Sequence, residues 1–170
     1  GLFKLDGGAM FGVVPKTIWQ KLVPADENNL CTWAMRCLLV EDGDKLILID
    51  NGIGDKQDAK FFSYYHLQGD QNLLDSIKKA GFSPQDVTDV IMTHLHFDHC
   101  GGGVKYTDSK TKLELTFPNA TYWSSEAHWQ WATKPNPREK ASFLTENVLP
   151  IQESGHLKFI DPTLPSPFKN

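Results

Sequence analysis

The sequence has little of what would assign it to a class at once. It carries three cysteines, Cys31, Cys37 and Cys100, with no C-x-x-C pair. That is too few for a disulfide framework, and it points to free thiols in a reducing compartment. No apolar run approaches the ~20 residues of a membrane span, and the longest, Leu46-Ile47-Leu48-Ile49, reads as a buried strand. There is no basic surplus: 17 Lys and Arg against 21 Asp and Glu leave a net charge of −4, which argues against a nucleic-acid partner. Internal repeats, low-complexity tracts and long linkers are also missing. With 40% hydrophobic and 22% charged residues in 170, the composition is that of one globular domain. No secretory leader is visible. A cytoplasmic location is therefore expected, with secretion left open because the chain begins at Gly1 rather than Met.

What is present alternates between strand and helix signals, so the expected class is α/β in layers. The first dozen residues, with Gly7, Gly8 and Gly12, predict short strands or a hairpin, and Pro15 opens a short helix over 16–22. Thr32 to Val40 is β-rich, Glu41-Asp42-Gly43-Asp44 is a turn, and Lys45 to Asp50 is a second strand, which together form a hairpin signal. Leu73, Leu74, Ile77 and Ala80 recur at helical spacing before Gly81, which predicts a helix over 70–80. Strands are expected over 87–93, 113–117, 120–123 and 156–160. Helices are expected from Ser124 or Ser125 to Ala132, and over 138–148. A loop is expected over 94–103, and the proline-studded stretch 161–170 reads as irregular.

One segment carries chemistry: Thr93-His94-Leu95-His96-Phe97-Asp98-His99-Cys100, followed by Gly101-Gly102-Gly103. It holds three of the six histidines in the chain. In an extended segment residues i and i+2 point the same way, so His94 and His96 can aim their imidazoles at one point. Asp98 and His99 follow after a bend and can face a second point nearby. The three glycines let the backbone pass close to that centre. Imidazole and carboxylate are ligands for Zn²⁺ and similar ions. Two such ions ~4 Å apart would share a bridging hydroxide, a nucleophile available at neutral pH. A cluster of ordinary loop residues is the bland alternative, but three imidazoles this close call for a reason.

The pattern His94-x-His96-x-Asp98-His99 resembles the signature of the metallo-β-lactamase fold superfamily. The stretch Leu46-Ile-Leu-Ile-Asp50-Asn-Gly52-Ile-Gly54-Asp55 resembles that superfamily's first motif, a strand ending in Asp-Thr-Gly, with Asn51 where Thr is usual. Asp6 to Pro15 and Pro24 to Asn29 resemble the branch holding N-acyl-homoserine lactonases and phosphotriesterase-like hydrolases. The resemblance implies an αββα sandwich and two divalent metal ions, zinc first, with iron, manganese or cobalt open. His94 and His96 would hold one ion, and Asp98 and His99 the other. Asp98 would also handle the proton in turnover. Asp50 would steady the metal loop from behind. The implied activity is hydrolysis of a lactone or similar ester, of the bacterial quorum-quenching kind, with a phosphotriester or another ester as the alternative. The implied partner is a small-molecule substrate; a homodimer is left open.

Each metal needs at least one further protein ligand, which in the family comes from later loops. After residue 100 the candidates are His128 and His156, with Asp108 and Asp161. His156 is followed by Leu157-Lys158-Phe159-Ile160 and reads as a solvent-facing strand residue; His128 reads as a helix-surface residue. The expectation is therefore that residues 1–170 form the N-terminal portion of a single such domain whose C-terminal remainder is absent. The rival from another class is a non-catalytic fragment with a partial metal site.

Overall fold

The computed structural model describes residues 1–168. The chain divides into two compact units, Gly1–Met35 with Gln57–Gln71, and Arg36–Lys56 with Asn72–Asn170.

The smaller unit pairs β1 (Leu2–Asp6) antiparallel with β2 (Leu30–Ala34). It adds three short helices, α1 (Gly7–Phe11), α2 (Lys16–Trp19) and α3 (Ala59–Ser63). Of the short strands or hairpin expected near the N-terminus, one short strand forms, and it runs into a helix. The Asp6 carboxylate caps that helix by accepting the Gly8 N–H. Trp19 is buried and stacks on Phe11 with ring centroids 5.1 Å apart.

The larger unit is built on a five-stranded sheet in the order β3 (Leu38–Asp42), β4 (Lys45–Ile49), β5 (Asp89–Ile91), β8 (Thr121–Ser124), β9 (Leu157–Phe159). β3 and β4 form the expected hairpin, and from β4 onward the strands run parallel. The chain also contributes α4 (Leu73–Lys79), α5 (Phe97–Cys100), the two-stranded hairpin β6 (Val104–Tyr106) and β7 (Leu113–Leu115), α6 (Glu126–Thr133) and α7 (Thr145–Glu153).

Period-two alternation decides which face is core. Leu46 and Leu48 of β4, Val90 of β5 and Tyr122 of β8 point to one side. There they meet Ile77 of α4, Trp129 and Ala132 of α6, and Val148 and Ile151 of α7. Burying each such side chain contributes about 1.5–3 kcal/mol before the entropy of ordering it is subtracted.

Several expected elements differ. The strand expected over 32–40 splits into β2 and β3, which belong to different sheets. The helix expected from residue 70 starts at Leu73 because the Asn72 side chain caps it, accepting the Asp75 N–H. The helix expected over 138–148 is a 3-10 turn at Lys140–Ser142 followed by α7, which runs through Pro150. Its buried Val148 and Ile151 outweigh the cost of the interior proline. The loop expected over 94–103 contains a helical turn, Phe97–Cys100, and a 3-10 turn over Gly101–Gly103. The irregular stretch expected over 161–170 is irregular through Phe168; Lys169 and Asn170 lie outside the described residues.

Candidate metal centre

In a parallel sheet the carboxyl ends of the strands gather loops at one edge, and functional groups collect there. Three strands end at this site. β4 runs into Asp50, β5 into Thr93 to His99, and β8 into the Ser125 cap of α6, which carries His128.

The alternation of β5 carries on past its last residue. Leu95 is fully buried, while His94 and His96 on either side of it bring their ring centroids to 4.7 Å. The chain then turns into α5, and one turn of helix returns His99 over His94 at 3.9 Å between centroids. Asp98 Oδ2 lies 3.5 Å from His99 Nε2. The four residues singled out in the sequence therefore share one half-buried cluster. Among the described residues, no three His, Cys, Asp or Glu side chains already stand in the arrangement that holds a metal ion.

The donor chemistry nevertheless fits a divalent ion. Burial, with the facing His99 and His96, pushes the His94 imidazole down to about 4, and burial also lowers His96. Both rings are thus neutral near pH 7, the state that binds metal. Asp50 sets which nitrogens stay available. Its Oδ2 accepts His99 Nδ1–H at 2.7 Å, which leaves Nε2 of that ring facing the cluster. The Thr93 hydroxyl donates to both Asp50 oxygens, at 2.8 and 3.0 Å. Having spent its hydrogen there, Thr93 Oγ1 can only accept from His94 Nδ1, 3.2 Å away. His94 Nε2 is left free in turn. One buried carboxylate thus orients two imidazoles, one directly and one through a hydroxyl. Burial pushes the Asp50 carboxyl up. The bonds from His99, the Thr93 N–H and the Thr93 hydroxyl outweigh it and hold the group below its ordinary value. The same bond raises His99, against burial.

The glycines matter for a close backbone approach. A Cβ on Gly101 would stand 2.2 Å from the Ile53 carbonyl oxygen, and one on Gly102 would stand 2.1 Å from that of Asn51. The loop after β4 is therefore pressed against the turn after α5, with Asn51 N–H donating to His99 O at 2.8 Å. Lys56 closes the contact by donating to Gly101 O. It is 8% exposed and makes no ion pair among the described residues, and burial pushes its ammonium down to about 8. Tyr122 anchors the far side, its hydroxyl donating to Gly103 O at 2.9 Å.

The later candidates fall in different places. His156 precedes β9, its Nδ1 2.8 Å from Ala120 O. Both groups sit at the amino ends of parallel strands, at the sheet edge opposite the cluster. Asp161 bonds its own turn through the Thr163 N–H and hydroxyl. His128 is half-buried rather than a free surface residue, and its Nε2 accepts the Leu95 N–H at 2.9 Å. Lys56 and Thr93 are given no role by the sequence. Neither carries a spacing signal, because their partners come from elsewhere in the fold. Cys100 is buried and donates to Leu95 O at 3.2 Å; burial pushes its thiol up to about 12.

Residues 36–167 match the family model described as the metallo-beta-lactamase superfamily. Among curated proteins, the N-acyl homoserine lactonase AiiA of Bacillus thuringiensis subsp. kurstaki is 28% identical over 105 residues, covering 56% of this chain and 41% of that protein. Among solved structures, a probable metal-dependent hydrolase from Staphylococcus aureus superposes with a TM-score of 0.83 at 30% identity, covering 95% of this chain and 56% of that one. The dizinc quorum-quenching lactonase AidC, in complex with a product, superposes with a TM-score of 0.65 at 25% identity, covering 98% and 57%. The chain spans about half the length of these relatives.

Proposed function

The chain belongs to the metallo-beta-lactamase superfamily, and from that premise we propose that it forms part of a metal-dependent hydrolase that opens a lactone or similar ester. The observation that carries the reading is the Asp50 network, which frees Nε2 of both His94 and His99 beside His96 and Asp98. His94 and His96 would hold one divalent ion and Asp98 and His99 a second, zinc being the first candidate. Such ions, when bound, supply Lewis acidity toward a carbonyl oxygen and bring the ionisation of water near neutral pH.

The chain's own residues do the rest. Asp50 keeps the His94 and His99 imidazoles oriented through its hydrogen bonds. Asp98 Oδ2 faces into the cluster beside His99 Nε2. It takes up the proton released as water adds to the carbonyl and returns it to the leaving alkoxide. A lactone is the leading substrate because the relatives include proteins named as N-acyl homoserine lactonases; a phosphotriester or another ester comes second. The substrate is a small molecule. The rival reading from another class is a non-catalytic module holding a single ion weakly.

The test is metal analysis and lactone hydrolysis on the whole protein, with His96→Ala alongside. Two ions per chain, lactone turnover, and its loss in a folded His96→Ala variant are expected. One ion or none, with no turnover, establishes the rival.

A further inference from the structure

We propose that His128 and Cys100 form a two-sided clasp on the backbone of Leu95, and that this clasp, not the sheet, fixes how far apart His94 and His96 stand. Both are positioning residues. The inference rests on the reading that those two histidines hold a metal.

Leu95 lies beyond β5, and its N–H and C=O take no part in the ladder. A fully buried peptide must find partners for both groups. Here two side chains supply them. His128 Nε2, carried on α6, accepts the N–H at 2.9 Å, and the Cys100 thiol, at the end of α5, donates to the carbonyl at 3.2 Å. The buried Leu95 side chain fixes the third direction. A residue held at N–H, C=O and side chain cannot rotate, and its two neighbours are the two imidazoles.

His128 is itself well supported. The Ser125 side chain caps α6 by accepting the His128 N–H, and the His128 ring packs against Phe143 at 5.8 Å between centroids. The same Phe143 ring contacts His96 at 4.9 Å. One aromatic side chain thus lies against both the clasp and a candidate ligand. A histidine accepting through Nε2 carries its hydrogen on Nδ1, so the role asks for an acceptor at one position in space. A glutamine Oε1 can approximate that acceptor; a leucine cannot.

The experiment uses the whole protein in two measurements. The first is hydrogen exchange at the Leu95 amide in metal-free protein, with the Val90 and Ile91 amides as internal controls. The second is titration with zinc. His128→Leu is expected to speed exchange at Leu95 alone and to weaken zinc binding about 10- to 100-fold. His128→Gln is expected to restore most of both. Cys100→Ala is expected to weaken zinc binding in the same direction, and Cys100→Ser to recover it. Should His128→Leu fail to fold, the Cys100 pair carries the same two readouts. Unchanged Leu95 exchange and unchanged zinc affinity in the folded variants overturn the clasp. If the unmutated protein takes up no zinc, the metal reading falls, and the exchange measurement still decides whether the clasp exists.

Discussion

Two buried aspartates, Asp50 and Asp89, sit at opposite ends of neighbouring strands and are put to different uses. Asp89 opens β5. It receives the Trp123 indole N–H at 2.7 Å, the Thr88 hydroxyl at 2.8 Å and the Lys45 ammonium at 3.4 Å. The indole has no second polar atom, and the further bonds of Thr88 and Lys45 go to the Leu46 N–H and the Pro167 carbonyl, so the network ends on backbone. Asp50 follows β4, and its partners face the cluster instead: His99 and, through Thr93, His94 each keep a second ring nitrogen. A buried carboxylate that meets indole and ammonium closes a network. One that meets imidazole passes its orientation on to whatever the far nitrogen touches. Burial and satisfaction look alike at the two sites; the identity of the donors separates scaffold from site.

The sharpest way to break this contrast is Asp50→Ala. It should weaken zinc binding about 10- to 100-fold, by loss of the group that orients two imidazoles. A zinc titration by calorimetry or with a competing chelator reads this directly. Asp89→Ala should leave zinc affinity unchanged and lower unfolding stability by about 1.5–3 kcal/mol, the cost of a buried charged hydrogen-bond centre. Chemical denaturation of the two variants side by side tests whether the roles separate as described.

The cations sharpen the same comparison at smaller scale. Lys45 is paired with Asp89, whereas Lys56 is buried against a carbonyl. Burial holds its folded value at about 8, below the ordinary lysine value of 10.5. Between those values the unfolded chain binds more protons, so the Lys56 contribution to stability rises with pH. From pH 7 to pH 9 the gain of the unmutated protein over Lys56→Met should be on the order of 1 kcal/mol. Denaturation midpoints at the two pH values measure it, and a falling difference would contradict the assignment.

The cluster itself was legible because its logic is local. His94, His96, Asp98 and His99 lie within six positions, and strand alternation followed by one helical turn is enough to gather them. The β3–β4 hairpin and the α6 start were legible for the same reason, each marked by a turn or cap residue. Element boundaries moved where packing outvoted the local signal, as in α7, where Val148 and Ile151 carry the helix across Pro150. His128 was read as a surface residue because nothing near it in the sequence says that the Leu95 amide lacks a partner.

The sequence by itself determined the family, the order along the chain of the elements that lead to the site, and the four candidate ligands, since all of these are written in contiguous segments. Only the tertiary structure decided what orients them. Asp50 reaches His99 across 49 positions, Lys56 reaches Gly101 across 45, and His128 reaches Leu95 across 33. Such contacts exist because parallel strands carry their following loops to one edge of the sheet, where distant residues satisfy one another's buried polar groups. That pairing depends on which strands lie side by side, and no spacing along the chain encodes it.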